Sequence, residues 1–261
     1  MRKRKKKKLF KNVQLVNIIP SLATLAALFV GLTQVRFALG DQWEYAIVSV
    51  IAAAFLDATD GRLARFLNSC SRFGAELDSF SDFAVFGFCP AIVMYLFCLS
   101  RLGRPGWIIS VFFAICMCLR LARFNTHDIE NIKGPLSGKF FTGVPAPAGA
   151  IIALYPVILH NAFSLEVFRN EYFSAIFVAF SGLLCISRIP TLSIKKFHIK
   201  REMYTVFLLC IIILAGIVFA YTWKALSIMI LLYLFSILFT ARQAKMLLSK
   251  LNDQTAPDKK F

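Results

Sequence analysis

Eight apolar segments, each close to the length that crosses a bilayer, follow one another along this 261-residue chain. The first runs from Ile18 to about Val35, and the others cover about 43–60, 78–100, 106–124, 141–160, 172–190, 203–222 and 224–240. A hydrocarbon core about 30 Å thick needs about 20 such residues as helix. Composition agrees, with 58% hydrophobic residues and a mean hydropathy of +0.68, where soluble domains hold about 45–50%. The expected fold is all-α: a polytopic membrane helix bundle of about eight transmembrane helices.

Charge orients the bundle, because Lys and Arg concentrate on the cytoplasmic side of short loops. With the N-terminus inside, the inner segments 1–17, 62–72, 120–139, 188–201 and 242–260 hold 25 of the 30 Lys and Arg. The outer segments hold only Arg36, Arg101, Arg104, Arg169 and Lys224. Trp43, Trp107 and Trp223 fall at outer helix ends, as interfacial anchors do. Both termini are therefore expected in the cytoplasm. A basic start before an apolar run has the form of a signal peptide, but this run is long enough to span and no small-residue cleavage site follows. A retained first helix is expected. The domain reading is a basic interfacial segment over 1–17, a transmembrane domain over 18–240 and a cytoplasmic tail over 241–261, with LNDQTAPDKK near its end read as disordered.

The net charge of +16 has two readings, nucleic acid or an anionic membrane surface. No soluble stretch is long enough for a nucleic-acid recognition domain, so basic loops against an anionic bilayer are expected. The block RKRKKKK at residues 2–8 and the cluster Lys195, Lys196, Lys200 and Arg201 suit that role. The seven cysteines form no CxxC pair and the three histidines are scattered, so neither a disulfide nor a zinc site is expected.

Where the second and third apolar segments meet, residues 57–82 read DATDGRLARFLNSCSRFGAELDSFSD. Asp57 and Asp60 are three apart and Asp78 and Asp82 four apart, so on helices each pair shares a face. The intervening turn lets the pairs meet. Four unpaired carboxylates at a membrane edge would cost on the order of 10 kcal/mol, so something cationic must offset them. Converging carboxylate oxygens suit a hard divalent cation, Mg2+ or Mn2+. Gly61 and Ala64 leave room for a bulky ligand against the backbone, and Arg65 is placed to reach a phosphate oxygen. Two blander readings compete. One is a set of solvated loop aspartates; the other is a cation or lipid transporter, whose site would lie nearer the bilayer midplane.

The spacing DxxDGxxARx8GxxxDxxxD is filled by Asp57, Asp60, Gly61, Ala64, Arg65, Gly74, Asp78 and Asp82. It resembles the signature of the CDP-alcohol phosphatidyltransferases. The resemblance implies that Asp57, Asp60 and Asp78 hold divalent metal at the pyrophosphate of a CDP-lipid. It also implies that Gly61, Ala64, Arg65 and Gly74 border that ligand, and that Asp82 is the general base and a further candidate metal ligand. A PNxxT run on helix one of such proteins is matched here by PSLAT, Pro20 to Thr24, with Ser21 in place of asparagine and Asn17 nearby. A homodimer is also implied.

Three further segments, GAELDSFSDFAVFGFCPA, RLARFN at 120–125 and GKFFTGVPAPAGA at 138–150, look like the membrane-integral bacterial phosphatidylserine synthases of this family. The resemblance, covering residues 57–150, implies CDP-diacylglycerol and L-serine as substrates, in the inner membrane with the site facing the cytoplasm. Arg120, Arg123 and Lys139 are the candidates for acceptor or phosphate binding, since Arg offers a carboxylate a planar bidentate match. Glycerol 3-phosphate, inositol phosphate and choline are the alternative acceptors.

Overall fold

Long apolar runs fold as helix because helix satisfies its own backbone groups without water. The structure, a computed structural model, describes residues 19–67, 71–130, 140–187, 190–192, 216 and 220–255. In chain order the elements are α1 (Ile19–Leu39), α2 (Trp43–Phe66), α3 (Arg72–Asp82), a π-helical turn (Phe83–Phe88), α4 (Cys89–Phe97), α5 (Arg104–Glu130), β1 (Phe140–Thr142), α6 (Ala146–Ala153), α7 (Tyr155–Phe163), α8 (Glu171–Ile186), β2 (Pro190–Leu192) and α9 (Thr222–Thr255). Residues 1–17 and nearly all of 203–222 lie outside the described residues.

Three described stretches are long and apolar enough to cross a membrane: Ile19–Leu39, Phe73–Phe97 and Arg104–Thr126. Ala146–Ala153 and Tyr155–Phe163 make a fourth if the pair, bent by 52°, is one span. The bend falls at Leu154, just before Pro156 in the first turn of α7. Proline supplies no N–H to the preceding turn, which breaks the helix there.

Three details depart from the expectations. Residues 141–145 do not open a helix; instead β1 pairs antiparallel with β2, Phe141 opposite Thr191. This short pairing joins the chain entering α6 to the chain leaving α8, and is the only strand pairing among the described residues. The fifth apolar segment is two helices rather than one. The last helix runs through Thr255, well past 240 and into the tail read as disordered.

α1 and α2 form an antiparallel hairpin closed by a tight turn. Phe37 O accepts from the N–H of Gly40 at 3.1 Å and of Gln42 at 2.9 Å, and Asp41 takes the left-handed φ of 56°. The core is built mainly from the π turn and α4 to α8, where Phe86, Phe97, Phe113, Met117, Ile152 and Ile158 are fully buried, joined by Ile47 and Val50 of α2 and Ile230 of α9. Small residues bring backbones together as in membrane bundles generally. A Cβ on Gly149 would stand 2.4 Å from Cys185 Sγ, and Ser181 Oγ donates to Gly149 O at 2.6 Å. Phe29, Phe55, Ile108, Ile176 and Phe235 are exposed, as side chains facing lipid would be.

Candidate functional site

α2 continues as helix through Phe66, so Asp57, Asp60 and Gly61 ride on its last turns. α3 starts at Arg72 because Ser71 caps it: the Ser71 hydroxyl accepts from Gly74 N–H at 2.9 Å. This start places Asp78 and Asp82 in the second half of α3, one turn apart. Ligand oxygens of Asp57, Asp60 and Asp78 all lie within 4.8 Å of one another. The Asp57 carboxyl is also within hydrogen-bonding reach of those of Asp78 and Asp82. The two helical pairs therefore do meet across the turn.

A hydrogen bond between two carboxyls requires a shared proton, since like charges this close cannot all persist unneutralised. A cation would serve in place of the protons. Asp60 carries the clearest sign of such a ligand. It is 4% exposed, and its Oδ2 is buried with no hydrogen-bond partner. Orphaned buried oxygens are rare in proteins, and among carboxylates a bound cation is the partner that suits one. A donor set made only of carboxylate oxygens fits Mg2+ or Mn2+ rather than a softer metal.

Helix one joins the site. The Thr24 side chain is within hydrogen-bonding reach of the Asp60 carboxyl, although its single hydroxyl proton is also directed to Pro20 O at 3.1 Å. A Cβ on Gly74 would stand 3.1 Å from Ser71 Oγ and 3.9 Å from Ser21 Oγ. The PSLAT run thus touches the site through its serine and its threonine, while Asn17 lies outside the described residues. Beyond Gly61's own stretch of helix, nothing among the described residues lies within 4 Å of where its Cβ would be. Ala64 and Arg65 continue the same helix, but their side chains lie outside the described set, as does all of Lys139.

The two arginines of RLARFN have different surroundings. Arg120 donates through Nε to Val144 O at 2.5 Å, and it stands within electrostatic range of Asp82. Arg123 directs Nη1 to Ile186 O at 2.8 Å and Nη2 to Ser187 O at 3.4 Å. It holds the last carbonyls of α8, where a cation also complements the helix dipole. Asn125, in the same motif but assigned no role from sequence, donates to Ser79 Oγ at 2.9 Å and ties α5 to α3 one residue beyond Asp78. Between Arg123 and the run Thr126, His127 and Asp128, one more polar residue does not stand out, so the sequence carried no signal for it.

The sequence model of the CDP-alcohol phosphatidyltransferase family matches residues 17–187. The chain is similar to the CDP-diacylglycerol–serine O-phosphatidyltransferase of Mycobacterium leprae, 35% identical over 89% of this chain and 77% of the relative. The Helicobacter pylori protein of the same name is 34% identical over 83% of this chain and 88% of its own. The Mycobacterium tuberculosis protein is 38% identical over 70% of this chain, a match spanning 63% of that relative's length.

Proposed function

This chain belongs to the CDP-alcohol phosphatidyltransferase family, and from that premise we propose that it transfers the phosphatidyl group of CDP-diacylglycerol to L-serine, giving phosphatidylserine and CMP. The observation that carries the reading is the convergence of Asp57, Asp60 and Asp78 within 4.8 Å, with Asp82 within reach of Asp57. The names of the relatives supply the acceptor.

Asp57, Asp60 and Asp78 would hold the divalent metal, with Asp82 within reach as a further ligand. A divalent cation bound there neutralises pyrophosphate charge and favours the departure of CMP. The chain's own groups do the rest. Gly61, Ala64 and Gly74 leave the surface low enough for the nucleotide to lie against α2 and α3, and Arg65 meets a phosphate oxygen. Asp82 takes the proton from the serine hydroxyl as that oxygen attacks the lipid-bearing phosphorus. The bond from that phosphorus to the CMP oxygen breaks, and CMP leaves with the electron pair. A serine hydroxyl is a poor nucleophile at neutral pH, so positioning and electrostatics supply most of the rate.

Arg120 is the better candidate for the serine carboxylate, because it stands within electrostatic range of Asp82 and so of the place where the hydroxyl must arrive. Arg123 is engaged by α8 carbonyls and is assigned a structural role. The site faces the cytoplasm of an anionic inner membrane in this proposal, on the strength of the Lys and Arg distribution; the homodimer rests on the resemblance. The test is an assay of purified protein with CDP-diacylglycerol and each of serine, glycerol 3-phosphate, inositol phosphate and choline, with and without EDTA. CMP and lipid product with serine alone, abolished by EDTA, support the reading. Product with another alcohol overturns the acceptor, and transport without CMP overturns the reaction.

A further inference from the structure

Gln34, in the second half of α1, is fully buried. Burying an amide without partners costs about 1–3 kcal/mol by mutational data, so where it bonds is informative. Nε2 donates to Gly31 O at 2.7 Å within its own helix and to Val85 O at 3.0 Å across the helix boundary. Val85 lies in the π-helical turn Phe83–Phe88, which begins at the residue after Asp82. In that turn the Cys89 N–H reaches back five residues to Ala84 O. The next donor in this register would come from residue 90 and serve Val85 O. Residue 90 is proline and has no N–H. Gln34 supplies the missing donor. The approach is close because residue 31 is glycine: a Cβ there would stand 2.4 Å from Val85 Cγ2.

The π turn decides which way the aspartates face. One extra residue in a turn sets the rest of a helix back by about 100°. Asp78 and Asp82 precede the turn, while Cys89, Val93 and Phe97 follow it and are buried in the core. Continued as unbroken α-helix, Asp82 would share a face with Cys89 and Val93, seven and eleven residues on, and so would turn toward the core with them. The extra residue rotates the two faces apart by about 100°. α4 packs into the core with Cys89 and Val93 while Asp78 and Asp82 are left to meet Asp57.

We infer that Gln34 is a positioning residue for Asp78 and Asp82: its amide completes the π turn that Pro90 leaves one donor short, and so holds the third-helix carboxylates toward those of α2. This rests on reading those carboxylates as metal ligands, and the test separates the two. Mn2+ binding to the detergent-purified protein is read by electron paramagnetic resonance without substrate, beside CMP release. Gln34→Met keeps the volume and removes the donor. It should weaken Mn2+ binding by about 10–100-fold, the range typical when groups that orient ligands are lost. The Mn2+ needed for half-maximal CMP release should rise in parallel, with the KM for serine within about twofold.

Pro90→Ala returns an N–H to residue 90, so Gln34→Met with Pro90→Ala should recover Mn2+ affinity to within about threefold of wild type. A purely structural Gln34 would lower Tm without this split and without this rescue. Unchanged Mn2+ affinity in Gln34→Met overturns the inference, as does a loss that Pro90→Ala does not repair. Where Gln34→Met alone yields no folded protein, the double variant decides: near-wild-type Mn2+ affinity supports the inference, and weak binding by folded protein overturns it. Absence of Mn2+ binding by the wild type overturns the metal reading and this inference with it.

Discussion

The carboxyl of Asp57, in the last turns of α2, lies within hydrogen-bonding reach of the carboxyl of Asp82, the last residue of α3. That contact joins the candidate metal group to the candidate base, and it separates their roles experimentally. Asp82→Asn keeps the shape and a hydrogen-bonding group beside Asp57 but cannot accept a proton. CMP release should fall by about 10²–10⁴-fold, the usual contribution of a general base, while Mn2+ still binds, though less tightly, through Asp57, Asp60 and Asp78. Asp57→Asn should lose both. Full turnover by Asp82→Asn would remove it from the mechanism.

Gly61 gives a test in which stability and activity move in opposite directions. It is helical and exposed, with open space where a Cβ would be, so Gly61→Ala should stabilise the fold by about 0.5–1 kcal/mol. The same space is assigned to the nucleotide. Gly61→Leu should therefore raise the KM for CDP-diacylglycerol without lowering Tm. An unchanged KM would place the ligand elsewhere.

The two arginines of α5 should separate cleanly. Arg123→Gln removes charge-assisted bonds to Ile186 O and Ser187 O, each worth about 1.5–3 kcal/mol, so Tm falls while the KM for serine holds. Arg120→Gln should raise the KM for serine and leave that for CDP-diacylglycerol nearly unchanged. The reverse pattern would exchange their roles.

Packing of α6 on α8 depends on Gly149. Gly149→Val drives a side chain into Cys185 Sγ, which stands 2.4 Å from the Cβ position. Overpacking of this kind costs about 1–3 kcal/mol, and Cys185→Ala in the same chain should recover part of the lost Tm. No recovery would mean that the clash is not with Cys185.

The aspartate pairs were legible in sequence because their information is local: spacings of three and four on helices of ordinary pitch, joined by a short turn. The π turn was not, because it depends on Gln34, which lies 51 residues from Val85. Pro90 marked a missing donor, but nothing nearby in the chain named its replacement. The break at Leu154 was signalled by Pro156, yet hydropathy reads 141–160 as continuous, since both halves are apolar. Arg120 and Arg123 look alike in RLARFN, and only the position of the α8 carbonyls tells them apart. Thr24 was visible as the end of PSLAT, but its proximity to Asp60 required the hairpin of α1 and α2.

The central claim is that carboxylates from two neighbouring helices grip a divalent ion that in turn grips a nucleotide-activated lipid. Anomalous scattering from crystals grown with Mn2+ and CDP-diacylglycerol tests it most directly. The account predicts a Mn2+ peak among Asp57, Asp60 and Asp78 with the pyrophosphate of the lipid upon it. A peak elsewhere, or a CDP-lipid bound away from these aspartates, would contradict it.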